Sequence, residues 1–450
     1  MAVFRRRLVF WLLKAYLKKW GRVFVISFVL GLIIFIGVIF FLQNYSHLLP
    51  QRKEVIGVVG AYELDSLPQS ILANFSRGLT KIDAAGKVLP DVASSWEIKD
   101  NGKTYVFKLH DNLNFAEGRK VTSKDIQYEF KDVRVERPDN NTIIFYLQEA
   151  YSPFLVTVSR PIFLKGLEGI SQNKITDIEI NGTFVASLDA ITTQEEIKKS
   201  FSYIFYPNQE ALKTAFLLGE ITKVEGLQDV IYQNTEFSDH KNTNVTKEVN
   251  YNQLVTLFYN TKDSNLSDPN LRRALSYAIP NTFLHGERAY LPYPQTSQYY
   301  NPQAIEGGQD LDHAGALIRA SLGEKTNVTF VMKTLSRYTE TAEAIAKEWK
   351  KVGVTIKIEE VDSVPDTFQL YLGDFNVPKD PDQYTLWHST SPSNITKIDD
   401  KRLDKLMEDG RNSTDEIERR RFYADFQKFL LDEAPASFLY FPTSYTVTRK

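Results

Sequence analysis

LPDVASSWEIKDNGKTYVFKLHDNLNFAEGRKVTSKDIQYEF, residues 89–130, is the stretch whose reading decides the fold. Trp96 and Ile98, then Tyr105, Phe107 and Leu109, alternate with polar neighbours, the period of half-buried strands. Asp100-Asn101-Gly102 between them is a tight-turn signal, because Asn and Gly tolerate positive φ. Glu117-Gly118 marks a second turn. A hydroxyl at Thr122 or Ser123 can satisfy the free N–H groups of a helix end, so the pattern predicts a helix beginning near Lys124.

Outward from that segment, the 450 residues leave room for two or three domains. Aromatic residues make up 13% of the chain, enough for a large core or an aromatic-lined cleft. A net charge of −2 implies no bulk polyanion, so no nucleic-acid partner is expected. Without a cysteine there is no disulfide, thiolate metal ligand, thiol nucleophile or lipid-modified N-terminal Cys. Val23 to Leu42 is a run of 20 residues with no charge, long enough to cross ~30 Å of hydrocarbon. Arg5, Arg6, Arg7, Lys14, Lys18, Lys19 and Arg22 precede it, and that bias puts the N-terminus in the cytoplasm. A cleaved signal peptide is the alternative. The run is long for one, and Gln43 to His47 offers no small-x-small cleavage site. Residues 8–20 mix apolar and cationic side chains, the pattern of a helix lying on the inner leaflet. Residues 43–53, with Pro50, read as a tether.

Beyond it, Val55 to Val59 reads as a strand, as do 133–135, 142–147 and parts of 180–206. Ala211, Ala215 and Leu218 lie at helical spacing around an expected buried face. Leu254 to Asn260 is an apolar strand. Asp268-Pro269 starts a helix, Asp as cap and Pro in the first turn. Ala342, Ile345, Ala346 and Trp349 share one helix face, Gly353 ends it, and Val354, Ile356 and Ile358 alternate as the next strand. Leu403 with Met407, and Phe422 with Phe426, Phe429 and Leu430, give two further helices before the strand FLYFPTSYTV. No two of the six histidines are spaced as zinc ligands, and no nucleophile elbow or phosphate loop occurs, so neither a metal, a cofactor nor an enzyme activity is expected. Asp380 and Asp382 read as turn residues flanking Pro381 rather than as a catalytic pair.

The order of motifs is more specific than their physics. Pro90, Ala93, Ser95, Trp96 and Glu97, then Gly102, Thr104, Tyr105, Phe107 and Leu109, then Phe115, Gly118, Thr122 and Asp125 form a series that closely resembles the peptide/nickel-type family (family 5) of extracellular solute-binding proteins. Members capture ligands for ABC importers. Residues 203–225, 266–279 and 367–394 also resemble the family, with Thr222 and Pro280 where it usually has Asp. The resemblance implies an α/β, two-lobed periplasmic-binding-protein-like fold (type II) behind an N-terminal transmembrane helix. Its divisions would be a basic cytoplasmic segment 1–22, the span 23–42, the tether 43–53, lobe 1 over 54–258, lobe 2 over 259–434, and a return strand 435–450. Family members carry a larger helical insertion after the position of Phe130 and a longer C-terminal part, so a reduced small subdomain and a trimmed first lobe are expected. Asp374 matches in motif position the carboxylate that peptide-binding members use for the ligand's α-ammonium. Arg337 resembles the arginine used for the ligand's carboxylate, a surface arginine being the alternative. Trp387 and His388 are candidates to line the cleft, with core packing the alternative for Trp387. The expected function is a membrane-anchored, extracytoplasmic protein that binds peptides and meets ABC permease subunits. Another solute such as a nickel chelate or an oligosaccharide, or a surface sensor or adhesion module retaining the fold, stands as the alternative.

Overall fold

The computed structural model describes residues 2–45, 53–164, 167–192, 199–323 and 328–449. Helix α1 (Ala2–Tyr45) is unbroken over 44 residues, about 66 Å at 1.5 Å per residue. Its membrane-length apolar part is Lys18–Phe40. The expected inner-leaflet segment 8–20 is continuous with that part rather than set at an angle to it. The expected tether is corrected at its start: Gln43 to Tyr45 prolong the helix, and 46–52 lie outside the described residues. This helix belongs to a unit separate from the globular body.

The body opens with β1 (Glu54–Val59), a single turn α2 (Gln69–Leu72), and the hairpin β2 (Thr80–Ile82) and β3 (Val88–Pro90). The deciding stretch follows as β4 (Ala93–Lys99) and β5 (Thr104–Leu109), paired antiparallel. With β6 (Arg134–Glu136) and β7 (Thr142–Tyr146) they make a four-stranded sheet ordered β4-β5-β7-β6. The turn between β4 and β5 holds Asp100, Asn101 and Gly102 at φ 51, 53 and 89°, the left-handed region in which Asn, Asp and Gly are tolerated. Tyr105, Phe107 and Phe145 pack this sheet on Phe154 of the short helix α3 (Phe154–Thr157). The helix expected from Lys124 does not form. Asp125 accepts hydrogen bonds from the backbone N and the hydroxyl of Thr122, both at 2.8 Å, and closes one 3-10 turn, Ser123–Asp125. Ile126, Tyr128 and Phe130 then pack into or against the same core while Tyr128 donates to the carbonyls of Val158 and Arg160. Their period of two is an extended-chain signal that outweighed the cap.

Next come β8 (Asn173–Asn181), β9 (Phe184–Thr192), β10 (Lys199–Tyr206), α4 (Gln209–Leu218), β11 (Lys223–Leu227), a small hairpin β12 (Ile231–Tyr232) and β13 (Thr235–Glu236), and β14 (Thr243–Val249). Asn208 caps α4 by accepting from the backbone N of Ala211, and Gly219 ends it at φ 86°. Its buried face is Leu212, Lys213, Ala215 and Phe216. Leu218, expected on that face, is 71% exposed, because it lies two residues, or about 200°, past Phe216.

The remaining elements are β15 (Gln253–Tyr259), α5 (Pro269–Tyr277), β16 (Gly286–Arg288), α6 (Leu311–Leu322), β17 (Val328–Leu335), α7 (Thr339–Lys351), β18 (Val354–Val361), β19 (Leu370–Asn376), α8 (Tyr384–Trp387), α9 (Lys401–Asn412), α10 (Glu416–Glu433) and β20 (Ala436–Arg449). Asp268 caps α5 through the backbone N of Asn270 with Pro269 in the first turn, as expected. Strands β17, β18 and β19 are parallel, and β15 lies antiparallel between β19 and β20. Residues on one face of these strands, such as Leu257, Met332 and Leu372, pack with Leu275, Ile318 and Trp349 of α5, α6 and α7. The other face, with Phe258, Tyr371 and Phe375, packs with Trp387, Met407 and Phe426 of α8, α9 and α10. Covering both faces explains why β15 reads as a near-continuous apolar run. The 14 residues of β20 join both lobes: Ala436 to Tyr440 pair with β15, and Thr443 to Arg449 pair with β14. The sheet runs β18-β17-β19-β15-β20-β11-β1-β10-β9-β8, the expected two-lobed α/β architecture.

Candidate functional site

Thr334 of β17 is in register with Leu372 of β19, so the carboxyl ends of these parallel strands lie together. Open α/β sheets bind ligands at such ends. Arg337 follows β17 and Asp374 sits near the end of β19, and the structure joins the two expected charges to each other. Arg337 Nη2 is 2.6 Å from Asp374 Oδ1, Tyr338 donates its hydroxyl to the same oxygen at 2.7 Å, and Gln253 Nε2 donates to Oδ2 at 2.6 Å. Burial pushes the Asp374 carboxyl up. The hydrogen bonds of Gln253, Arg337 and Tyr338, with the Arg337 charge, outweigh it and hold the group below the usual carboxylate range. The Asp374 side chain is 14% exposed and that of Arg337 is 43% exposed, so the carboxylate is fixed and its partner stands in solvent.

Trp387 takes the core-packing alternative, and His388, a candidate for the cleft wall, is buried as well. Trp387 is 1% exposed among Phe258, Phe375 and Phe438, and its Nε1 donates to Gln383 at 2.8 Å. His388 is buried under a stacked Tyr384 ring 3.9 Å away, with Thr390 on Nδ1 and Glu408 on Nε2. Both serve the core, because the bonded indole at the end of α8 and the bonded imidazole of the residue that follows it hold the 383–390 turn. Asp380 and Asp382 do form the expected turn: Asp382 N donates to Asp380 at 2.9 Å and Tyr384 N donates to Asp382 at 3.0 Å. Each also holds an arginine that the sequence reading missed. Arg419 Nη2 meets Asp380 at 2.7 Å, and Arg411 grips Asp382 through Nε at 2.9 Å and Nη2 at 2.7 Å. The partners lie on α9 and α10, too far along the chain for any spacing rule to find.

A cavity of about 480 Å³ opens where β14 passes into β15. It is lined by the β2–β3 turn (Asp83 to Gly86), the crossing Glu248 to Asn252, Tyr293 to Ser297, and Val377 to Lys379. Its volume lies within the range of small-ligand sites. Asp83 is engaged by its own turn, accepting from the backbone N of Ala85 and of Lys87, both at 2.9 Å. Lys379 donates to Asn252, and partial burial lowers its pKa. None of Asp374, Arg337, Trp387 and His388 lines this cavity. On β19, Asp374 shares the sheet face of Leu370 and Leu372, whereas Phe375 and then Val377 turn to the other face. Among the described residues, no group of three or more His, Asp or Glu could hold a metal ion. The cavity offers amides, hydroxyls, aromatic rings, the amine of Lys379 and the carboxylates of Asp83 and Glu248: a set suited to holding a polar chain.

A family model described as "Bacterial extracellular solute-binding proteins, family 5 Middle" matches residues 87–180 and 195–397. The chain is 22% identical over 407 residues to a probable D,D-dipeptide-binding periplasmic protein of Escherichia coli, covering 78% of each. It is 24% identical over 464 residues to di/tripeptide-binding protein 1 of Pseudomonas aeruginosa, covering 84% of each. Among solved structures, an ABC transporter substrate-binding protein of Listeria monocytogenes superposes with TM-score 0.73 at 20% identity, over 88% of this chain and 94% of that one.

Proposed function

We propose, for a chain that belongs to the bacterial extracellular solute-binding proteins of family 5, that it captures short peptides outside the cytoplasm and passes them to an ABC permease on the same membrane. The observation that carries this reading is the cavity of about 480 Å³ at the β14–β15 crossing; the proposal is that the lobes close over a ligand there by hinge motion. Its amide- and hydroxyl-rich lining suits a peptide backbone, and the names of the relatives agree. The protein binds and releases; it is not an enzyme. Helix α1 stays uncleaved as a single-pass anchor with its basic end in the cytoplasm, a reading supported by the Lys18–Phe40 apolar part and the cations before it.

Asp374 lies outside that cavity, on the other face of β19 from Val377, so its part is proposed separately: where the ligand extends beyond the cavity, Asp374 takes its α-ammonium in exchange for Arg337, whose freed guanidinium then faces the ligand's carboxylate. An ion pair with one partner 43% exposed is worth only about 0–1 kcal/mol, so the exchange costs little. Trp387 and His388 support the site from behind and touch no ligand. The test is mass spectrometry of small molecules that co-purify with the full chain in detergent, followed by titration with free tripeptide pools. Co-purified peptides and saturable binding are expected. Absence of both, with a metal chelate or sugar bound instead, would replace the peptide reading.

A further inference from the structure

A second cavity, of about 260 Å³, shares Gly86 and Pro381 with the larger one. One wall is apolar: Val88 of β3, Trp96 and Ile98 of β4, and Leu155 of α3, all half-buried. Trp96 and Ile98 are two apart on one strand and so present the same face. The Trp96 ring is backed by the fully buried Phe107 ring at 6.4 Å, which fixes it as a wall rather than a mobile flap. The facing side is Tyr299 with the Asp380–Arg419 pair, each side chain of the pair 9% exposed. That pair neutralises itself, so it offers an incoming group no free charge. The exposed Lys87 and Glu416, also in the lining, are opposite in sign. An apolar cavity of ~150 Å³ is already enough for a benzene ring.

We infer that this cavity is a side-chain pocket and that it selects peptides carrying an aromatic residue. The inference rests on the peptide reading above: the ligand backbone lies in the larger cavity and one ring passes the shared Gly86–Pro381 rim into the smaller. Burying a Phe-sized group against Trp96, Ile98 and Leu155 should favour it over Ala by about tenfold or more.

The experiment uses the full chain in detergent and three pools of free tripeptides with one position fixed as Phe, Ala or Glu. The expected result is a Phe pool bound at least about tenfold tighter than the Ala pool, with Glu no better than Ala. Thr414 is exposed and lines the pocket, so Thr414→Phe should place the protein's own ring there and bring the Phe-to-Ala ratio within about twofold. Trp96→Leu, checked for an intact melting transition, should lower the same ratio. Equal affinity for the Phe and Ala pools in the unmodified protein, or a ratio untouched by Thr414→Phe, overturns the pocket while leaving peptide binding standing. Failure of every pool to bind overturns the peptide reading, and the pocket with it.

Discussion

Asp374 and Asp380 stand six residues apart, and each bonds an arginine, at 2.6 and 2.7 Å. Their settings differ. Arg337 is 43% exposed and touches Asp374 from the solvent side, whereas Arg419 is 9% exposed and has Nε fixed on the Gly410 carbonyl. The first pair can part with water as the alternative partner; the second cannot part without leaving a charge in the core. The same chemistry is therefore exchangeable in one place and structural in the other.

The largest effect that can break this comparison is on folding. Arg419→Met leaves Asp380 buried and unpaired, so stability should fall by about 3–5 kcal/mol in denaturant unfolding. Adding Asp380→Asn should restore part of the loss. A drop no larger than that of Arg337→Gln would erase the distinction. Next in size, Asp374→Ala should weaken free peptides by more than about tenfold in calorimetric titration, and N-acetylating the peptide should do the same to the unmodified protein. Strictly additive losses would remove Asp374 from the amine site. A smaller effect concerns pH. The folded Asp374 pKa lies below its unfolded value, so its contribution to stability is present above about pH 4 and is lost as pH falls through the folded value. The melting temperature of Asp374→Asn should lag the unmodified protein by a constant gap from pH 7 to 5 and close on it below about 4; a gap that widens on acidification contradicts the assignment. Smallest, Arg337→Gln removes the competing cation and should raise affinity for C-amidated peptides by up to about fivefold, the worth of an exposed pair. Weaker binding of those amides would mean that Arg337 holds the ligand by another route.

Local chemistry made much of this legible beforehand. The turn at Asp100 to Gly102, the cap at Asp268 and the buried stripe Ala342, Ile345 and Trp349 all depend on residues within a few positions of one another. A helix after Thr122 does not follow from its cap, because a hydroxyl and a carboxylate three apart serve a lone turn as well as a helix. Candidate-site residues were harder. Trp387 offers an indole to either a cleft or a core, and only the packing of Phe258, Phe375 and Phe438 around it decides. Arg411 and Arg419 became visible only once α9 and α10 had folded back onto the 380–382 turn.

Strand β20 carries a kinetic consequence. Val447 pairs with Val224 and Tyr440 with Val255, partners roughly 200 positions earlier in the chain. Neither half of the main sheet can zip shut until everything between has been synthesised, so early intermediates must wait with β11, β14 and β15 edges open. Such non-local closure makes for slow folding and a long exposure to mispairing.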